Sequence, residues 1–493
     1  MKNIIKSVTM ILMAVMLFTS CEEWLDINTN PNAIMDGPAI TEKIMLLGVE
    51  AEWATTSVNR FLVSNNWFAL PDWFLWYAIE ASSPCSFDIG ADFGNDIWET
   101  YSGSLKHAVQ LYDKAESNGN NRYQGIAAVI AAWHWFYIAD LYDKAPLHEA
   151  MKGDEFQYPA VATQEEIYAH ANGLIDEAIA LLDNPDPGKL VPTSDDYMLG
   201  GDAGKWKRLA YSLKARQAMR LIYAPGKSKS GQADLVLTYL QNGMTSSLDN
   251  CVWKHLDDLD NASQTYKEWA RDYSGEGLTP TNWLIDFMNS FNDPRRYVMF
   301  TFAEADPDGF VGLKAGAVVI PGNNPSHYKA EFIPKTYPDF IMVYPETQFL
   351  KAEAYALKGQ WDLAEDAMKD AIISDMTYKK VPQADIQTYI NQPMLTMPTE
   401  EEAAQELILG QKYIANVYQN HETYFDFIRT GYPQLDFEYA INYVYNTTTF
   451  PRRFPYPLDE LEKNPSIAAI GQAGWFERGT TWDNKDFPWR TKK

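Results

Sequence analysis

The chain has 493 residues, of which 46% are hydrophobic and 22% charged, with a formal net charge of −25. This balance belongs to a folded chain and not a disordered one, and the length allows two or three lobes. The acidity argues against nucleic acid, an anionic membrane surface or a polyanionic substrate as partner.

The first 26 residues are MKNIIKSVTMILMAVMLFTSCEEWLD. Lys2 and Lys6 form a short basic region, residues 11–18 are nearly all apolar, and Thr19 and Ser20 lead to Cys21. This is the layout of a secretory signal, and its apolar run is too short for a stable membrane span. A cysteine at the cut site points to a lipoprotein signal over residues 1–20, with Cys21 acylated as the first mature residue. Phe18 departs from the leucine usual in the lipoprotein box, and the plainer alternative is an ordinary signal with a chance cysteine. Burial of acyl methylenes would anchor the chain at about 0.8 kcal/mol each. Glu22, Glu23 and Asp26 are the wrong sign for a lipid-binding patch, so residues 21–38 read as an anchor and solvated tether. The two later cysteines, Cys85 and Cys251, are no disulfide scaffold. Two free thiols are expected, with a single bridge as the alternative.

From about Ile40 the apolar period is helical. Helices are expected near 39–54, 65–82, 98–116, 122–143, 164–183, 203–223, 344–374 and 400–428. Thr163 with Glu166, and Thr399 with Glu402, read as capping boxes. The acidic runs around them are therefore helix starts and not paired catalytic acids. Residues 297–302 and 316–320 are the best strand candidates. Between about 255 and 340 the regular pattern thins and Gly, Pro and Asn become frequent, which marks a loop-rich functional region. No segment after the leader reaches the apolar length of a membrane helix by this reading. Ala352, Tyr355, Gly359, Trp361, Ala364, Met368 and Ala371 follow the small/aromatic spacing of a tetratricopeptide unit. The alanines let two antiparallel helices approach, and Gly359 ends the first. Tyr168, Ala171, Ile175 and Ala178 form a weaker half-copy. One such unit leaves an apolar face open, so several must stack.

Short motifs run in order along the chain. They are Leu25-Asp26-Ile27-Asn28 with Asn30-Pro31-Asn32, Gly200-Gly201-Asp202 with Lys205-Trp206, and Ser212-Leu213-Lys214 with Arg216. Asp293-Pro294-Arg295 follows, then Tyr344-Pro345-Glu346 leading into Phe349-Leu350-Lys351-Ala352-Glu353-Ala354. Gln411-Lys412-Tyr413 begins a helix that reaches Arg429-Thr430-Gly431-Tyr432-Pro433. Arg452-Arg453-Phe454-Pro455-Tyr456-Pro457, Glu460 and Asn464-Pro465 close the set. In these motifs the chain resembles the SusD/RagB family of outer-membrane nutrient-binding lipoproteins over nearly its whole length. The resemblance implies a mostly α fold, with a tetratricopeptide-like helix-pair scaffold, a loop-rich ligand-facing lobe and a few short strands. It implies one binding domain over 39–493, with the loop-rich insertion at about 255–340. It further implies a surface-exposed outer-membrane location, a SusC-type TonB-dependent transporter as partner, and binding without catalysis. Glycans are the ligands of most such proteins and peptides of some.

The side chains suit that role. A sugar ring offers a C–H face to Trp and Tyr, and hydroxyls to Asn, Asp, Gln and Arg. Trp73, Trp76 and Tyr77 share one helix face, which serves either as core or as a stacking surface. Phe87, Asp88 and Phe93 fall in a Gly- and Asp-bearing loop. Trp269, Tyr273 and Trp283, near Tyr266, form a second candidate cluster in or near the loop-rich region. Trp133, Trp135 and Phe136 sit in a strongly apolar helix and read as core.

Catalytic signals are poor. The seven histidines lack the zinc-binding i, i+4 pattern with an intervening Glu. The stretch from Gly200 to Lys205 is one residue short of a phosphate loop, and Trp206 stands where the magnesium-binding hydroxyl would be. No G-x-S-x-G occurs. Among 66 acids any choice of a hydrolytic pair is arbitrary. No cofactor is expected. The oxygens of Asp195, Asp196 and Asp202 suit a structural calcium, but turn and cap roles account for them more simply. Arg295 with Arg296, and Arg452 with Arg453, are expected to make internal charge pairs, an arginine fork locking two lobes.

Overall fold

The computed structural model describes residues 40–54, 95–184, 186, 188–270, 280–304, 306–312, 324–417, 420–434 and 456–470. The chain divides into two units, Met1–Thr41 and Glu42–Lys493. Only residues 40 and 41 of the first are described, and the following concerns the second.

Helix α1 spans Glu42–Glu52, within the range its apolar period predicts. The expected helix at 98–116 is three joined pieces. Helix α2 (Asn95–Glu99) leads into a π-helical stretch, Thr100–Leu105, and then α3 (Lys106–Ser117). The π stretch carries Ser104, whose hydroxyl lies 2.7 Å from His134 Nε2. The expected helix at 65–82 falls outside the described residues.

Helix α4 (Asn121–Tyr142) begins at its Asn120 cap and is buried from Tyr123 to Tyr142. Such all-round burial explains why its sequence is apolar on every face. By length and mean hydropathy it could span a bilayer, which corrects the expectation that no segment beyond the leader reaches that length. Here the protein itself is its solvent. Strand β1 (Ala145–Pro146) pairs antiparallel with β2 (Val161–Ala162) and returns the chain to α5 (Gln164–Asp183). The Thr163–Glu166 capping box that starts α5 is present in both directions.

Asp202 caps α6 (Ala203–Arg220), its Oδ1 accepting from the Lys205 N–H at 3.0 Å. Ser228 caps α7 (Lys229–Leu240), a helix the sequence reading lacks. Strand β3 (Cys251–Trp253) pairs antiparallel with β4 (Asp339–Met342) across the whole loop-rich region. Between them lie α8 (Gln264–Ala270), α9 (Asn282–Ser290) and α10 (Arg295–Met299). Helix α10 corrects the expected strand at 297–302. Pro294 suits a helix start, and only Phe300 makes an isolated bridge, to Tyr328. The other expected strand, 316–320, lies outside the described residues.

The tetratricopeptide pair is α11 (Tyr344–Leu357) and α12 (Trp361–Tyr378). Gly359 separates them at φ +68°, a left-handed conformation in which glycine carries no Cβ penalty. Ala352, Ala364, Met368 and Ala371 are fully buried in the seam. Helices α13 (Gln383–Ile390), α14 (Glu401–Ala415) and α15 (Asn420–Thr430) follow, then the short α16 (Leu458–Lys463) and α17 (Pro465–Ala468). The expected capping box at Thr399 is absent. Glu400 is the N-cap without a side-chain bond, and the Glu402 carboxylate instead accepts from the Tyr432 hydroxyl at 3.1 Å.

Two apolar clusters result. The larger gathers residues of α1 to α7, α9 to α11, α14, α15 and α17 with those of the strands, and the smaller gathers residues of α11 to α14. Helix α11 belongs to both. Leu350, Ala354 and Leu357 face the first cluster, while Phe349, Ala352 and Ala356 face the second. The two sets have helical spacings on opposite sides of one cylinder.

Candidate functional site

The sequence motifs converge on a buried charge lattice. Arg216 on α6 holds Glu346 on α11 through two bonds of 2.6 Å and donates to the Ile341 carbonyl at 3.1 Å. It also faces Glu422 on α15 at 3.4 Å. Arg220, one turn on, donates to both Glu422 oxygens at 2.7–2.8 Å and meets Asp140 on α4 at 3.0 Å. Asp140 in turn accepts from the Tyr168 hydroxyl. Arg429 grips Glu353 on α11 at 2.5 and 3.0 Å and Asp426 at 2.9 Å, and Lys412 meets Asp426 at 2.5 Å. All these groups are buried. Burial alone would raise Glu422, but Arg216 and Arg220 bring it down to about 2. Burial raises Glu346 despite Arg216. Each charge has an opposite charge in place, so the lattice fixes helices and offers no free acid or base.

Arg295 forms a second lock. Fully buried, it donates to Asp293 at 2.6–3.1 Å, to Asp375 on α12 at 2.7 Å and to Gln411 on α14 at 3.1 Å. This joins the loop-rich region to the helix pair, as the arginine-fork expectation requires. Arg296 corrects the expectation of a charge pair there, since it donates to neutral acceptors, the Asp293 carbonyl at 2.9 Å and Asn289 Oδ1 at 2.5 Å. Arg452 and Arg453 lie outside the described residues.

The acids considered for calcium are committed to protein donors. Asp195 accepts from the Tyr123 hydroxyl at 2.6 Å and the Thr193 N–H at 2.9 Å. Asp196 accepts from the N–H groups of Leu199 and Gly201 and from Trp206 Nε1, at 2.7–2.8 Å. Asp202 is a helix cap. Among the described residues no group of three or more His, Cys, Asp or Glu could hold a metal. Cys251 is a free, buried thiol 3.7 Å from the Met198 sulfur, and Cys85 lies outside the described residues.

Among the described residues the loop-rich region carries two exposed aromatics, Tyr297 and Phe302, while Phe156, Tyr158, Tyr197 and Tyr378 are exposed elsewhere. Tyr297 and Phe302 are 56% and 49% exposed and meet over the buried Phe310, with ring centroids 5.0–6.2 Å apart. The Arg296 guanidinium lies 5.4 Å from the Phe310 centroid and 5.8 Å from that of Tyr297, within reach of a cation–π attraction. From Phe300 a line of ring contacts runs through Tyr328, Phe332, Tyr337 and Phe340 to Tyr378, each step 4.7–6.1 Å. It borders a cavity of about 420 Å³ between β4 and the C-terminal end of α12. Tyr378 is 45% exposed there. Partial burial and then the Asp375 charge push its phenol up to about 12, so it stays a neutral donor. Lys379, behind it, donates to Asp375 and to the Ala415 carbonyl. Convergent rings with a few polar groups in a concave site of this size are what a small ligand needs.

Of the predicted contact residues, Trp73, Trp76, Tyr77, Phe87, Asp88, Phe93 and Tyr273 lie outside the described residues, as does the lipidation candidate Cys21. Trp269 falls on α8. Trp283, on α9, is half-buried and packs on the main core, as does Tyr266. Trp133, Trp135 and Phe136 are core. The sequence reading missed Tyr297, Phe302, Tyr337 and Tyr378. Tyr297 and Phe302 are hidden in a segment that reads as strand. Tyr378 ends a helix whose other aromatic, Trp361, packs against the core. Tyr337 was the findable one, since Pro334 and Pro338 flank it and mark an aromatic loop.

Comparison with known proteins places this geometry. The family model described as SusD-like, starch-binding associating with outer membrane, matches residues 40–457. No curated protein sequence matches the chain. Among solved structures, a SusD/RagB family protein from Bacteroides thetaiotaomicron is 25% identical, with a TM-score of 0.69. The match covers 92% of this chain and 99% of that one. A chitin-binding protein is similar at 22% identity and a TM-score of 0.73, covering 92% and 99% of the two chains. A chitin-binding SusD homologue from Flavobacterium johnsoniae is similar at 19% identity and a TM-score of 0.70, covering 91% and 98%.

Proposed function

This chain belongs to the SusD-like family, and from that premise we propose that it is a surface lipoprotein of the outer membrane that binds nutrient oligomers. Glycans are its ligands in this reading, and it passes them to a SusC-type TonB-dependent transporter without cutting them. The observation that carries the reading is the match of residues 40–457 to a family described as starch-binding and associating with the outer membrane. Two similar structures, of chitin-binding proteins, support the glycan class, and so do the exposed rings of the loop-rich region. In this scheme residues 1–20 are the leader, Cys21 carries the lipid, residues 21–38 are the tether and 39–493 the binding body.

The mechanism is recognition alone. Flat rings cover the C–H faces of successive sugars, and amide, carboxylate and hydroxyl groups bond their edges. Each contact is weak, and several along one oligomer add up. Trp73, Trp76, Tyr77, Phe87, Asp88, Phe93, Trp269, Tyr273 and Trp283 are the proposed contacts. The test is a glycan array run beside a peptide library, followed by titration of the best ligand against Trp269→Ala and Tyr273→Ala. Saturable binding of a neutral oligosaccharide, weakened by these changes, is expected. Binding of peptides with no glycan captured would replace the ligand class, and release of shortened products would replace the mechanism.

A further inference from the structure

We propose that the cavity between β4 and the C-terminal end of α12 is a subsite for a single neutral sugar ring, separate from the aromatic cluster at Tyr297. The proposal rests on the reading of the protein as a glycan binder, and adds where one unit of the glycan is held and what charge it carries.

Size sets the first limit. About 420 Å³ lies in the range of small-ligand sites and leaves no room for an extended chain. Shape sets the second. Phe332, Tyr337 and Phe340 form buried wall, while the half-exposed Tyr378, 5.9 Å from Phe340, stands at the mouth where one ring face can cover a ligand. Polar groups set the third. The Asn250 side chain gives its Oδ1 to the Tyr344 N–H at 2.8 Å, which orients its amide and leaves the NH₂ to donate to a ligand oxygen. Thr336, an exposed residue of the lining, adds a hydroxyl-bearing side chain.

Charge then selects the ligand. The lysine at the back, Lys379, is closed on Asp375 and the Ala415 carbonyl. The two exposed charges of the lining, Glu331 and Lys380, have opposite sign. Nothing in this lining favours an anion or a cation. A peptide added as a strand is disfavoured too, because every residue of β4 is buried. The site is also preformed, since Asp375, one turn before Tyr378, is clamped by both Arg295 and Lys379.

The test is isothermal titration of the folded protein with maltohexaose, cellohexaose, xylohexaose and chitohexaose. The best binder is then titrated against Tyr378→Ala and, separately, Thr336→Trp, which fills the mouth from an exposed position. Each change is expected to weaken binding about tenfold or more with the melting temperature unchanged. Should Tyr378→Ala fail to fold, Thr336→Trp alone decides. An unchanged Kd overturns the subsite while leaving glycan binding intact. Absence of binding to every glycan in the wild type removes both. Loss of binding to an aromatic peptide, with glycan binding untouched, assigns the cavity to another ligand and likewise overturns the proposal.

Discussion

Glu50 shows how one buried acid can shape stability. Burial first, and then the Asp196 carboxylate with which it hydrogen-bonds, hold Glu50 well above the carboxylate range. The folded protein therefore keeps a proton that the unfolded chain gives up near pH 4.5. Above that pH the unfolded state binds fewer protons, so stability falls as pH rises. His134 works on the other side. Burial lowers it to about 4, opposed by its bond to the Ile130 carbonyl. His421 is also lowered to about 4, by burial and by Arg216 and Arg220, against Glu422. Between pH 6.5 and 4 the unfolded chain takes up protons the folded one refuses, so stability falls as pH falls through that window. Denaturation midpoints against pH are expected to fall on both sides of an optimum. Glu50→Gln should flatten the alkaline limb and spare the acidic one, and two unchanged limbs would refute this assignment. Arg295 gives a sharper case. Arg295→Ala strands Asp293 as a buried charge and leaves Asp375 to Lys379 alone, at a cost of about 3–5 kcal/mol, read by chemical denaturation. Unchanged stability would remove the lock between the loop-rich region and the helix pair.

At the scale of elements, much was legible because local chemistry and tertiary burial agree. The periods of α4, α5 and α6, the box at Thr163 and the break at Gly359 all survive folding. Asp202 was visible in the Gly200-Gly201-Asp202 motif, and its cap has a checkable size. Asp202→Ala should cost about 1 kcal/mol in denaturation. Its neighbour is stricter. Gly201 sits at φ +76°, and a Cβ there would lie 2.0 Å from the Pro192 carbonyl oxygen. Gly201→Ala is therefore expected to destabilise more than the loss of the cap, and a smaller effect would mean that the loop yields. What failed was equally physical. The strand expected at Tyr297 lost to a proline-started helix pinned by Arg295. The box expected at Thr399 lost because the helix starts one residue later and Tyr432 occupies Glu402. Helix α7 was missed because a Ser/Gly-containing first turn reads as loop. The aromatics proposed as ligand contacts were hard to rank, because a ring at helical spacing has the same pattern whether it meets core or sugar. The motif charges announced the family through residues that fix the scaffold, and the ligand left no comparable mark.

At the largest scale, the described part of the second unit is organised by α11, which contributes to both apolar clusters and anchors both Arg216 and Arg429. Loosening it should disturb both clusters at once, so unfolding followed by two local probes, one in each cluster, is expected to coincide. The proposed anchor is tested on the same scale. Cys21→Ala should move the protein from the membrane pellet to the soluble fraction, and retention in the pellet would count against the lipid. Helix α4 has a consequence that precedes folding. A secreted chain passes through its translocation channel unfolded, before neighbouring helices can shield this segment. Its length and mean hydropathy then resemble those of a stop-transfer sequence. Inside the folded protein Asp140 meets Arg220 and His134 meets Ser104. During such a passage the same two polar side chains oppose lateral release into lipid. For the exported chain proposed above, the residues that later fasten the scaffold are thus also the ones that keep it moving through the channel.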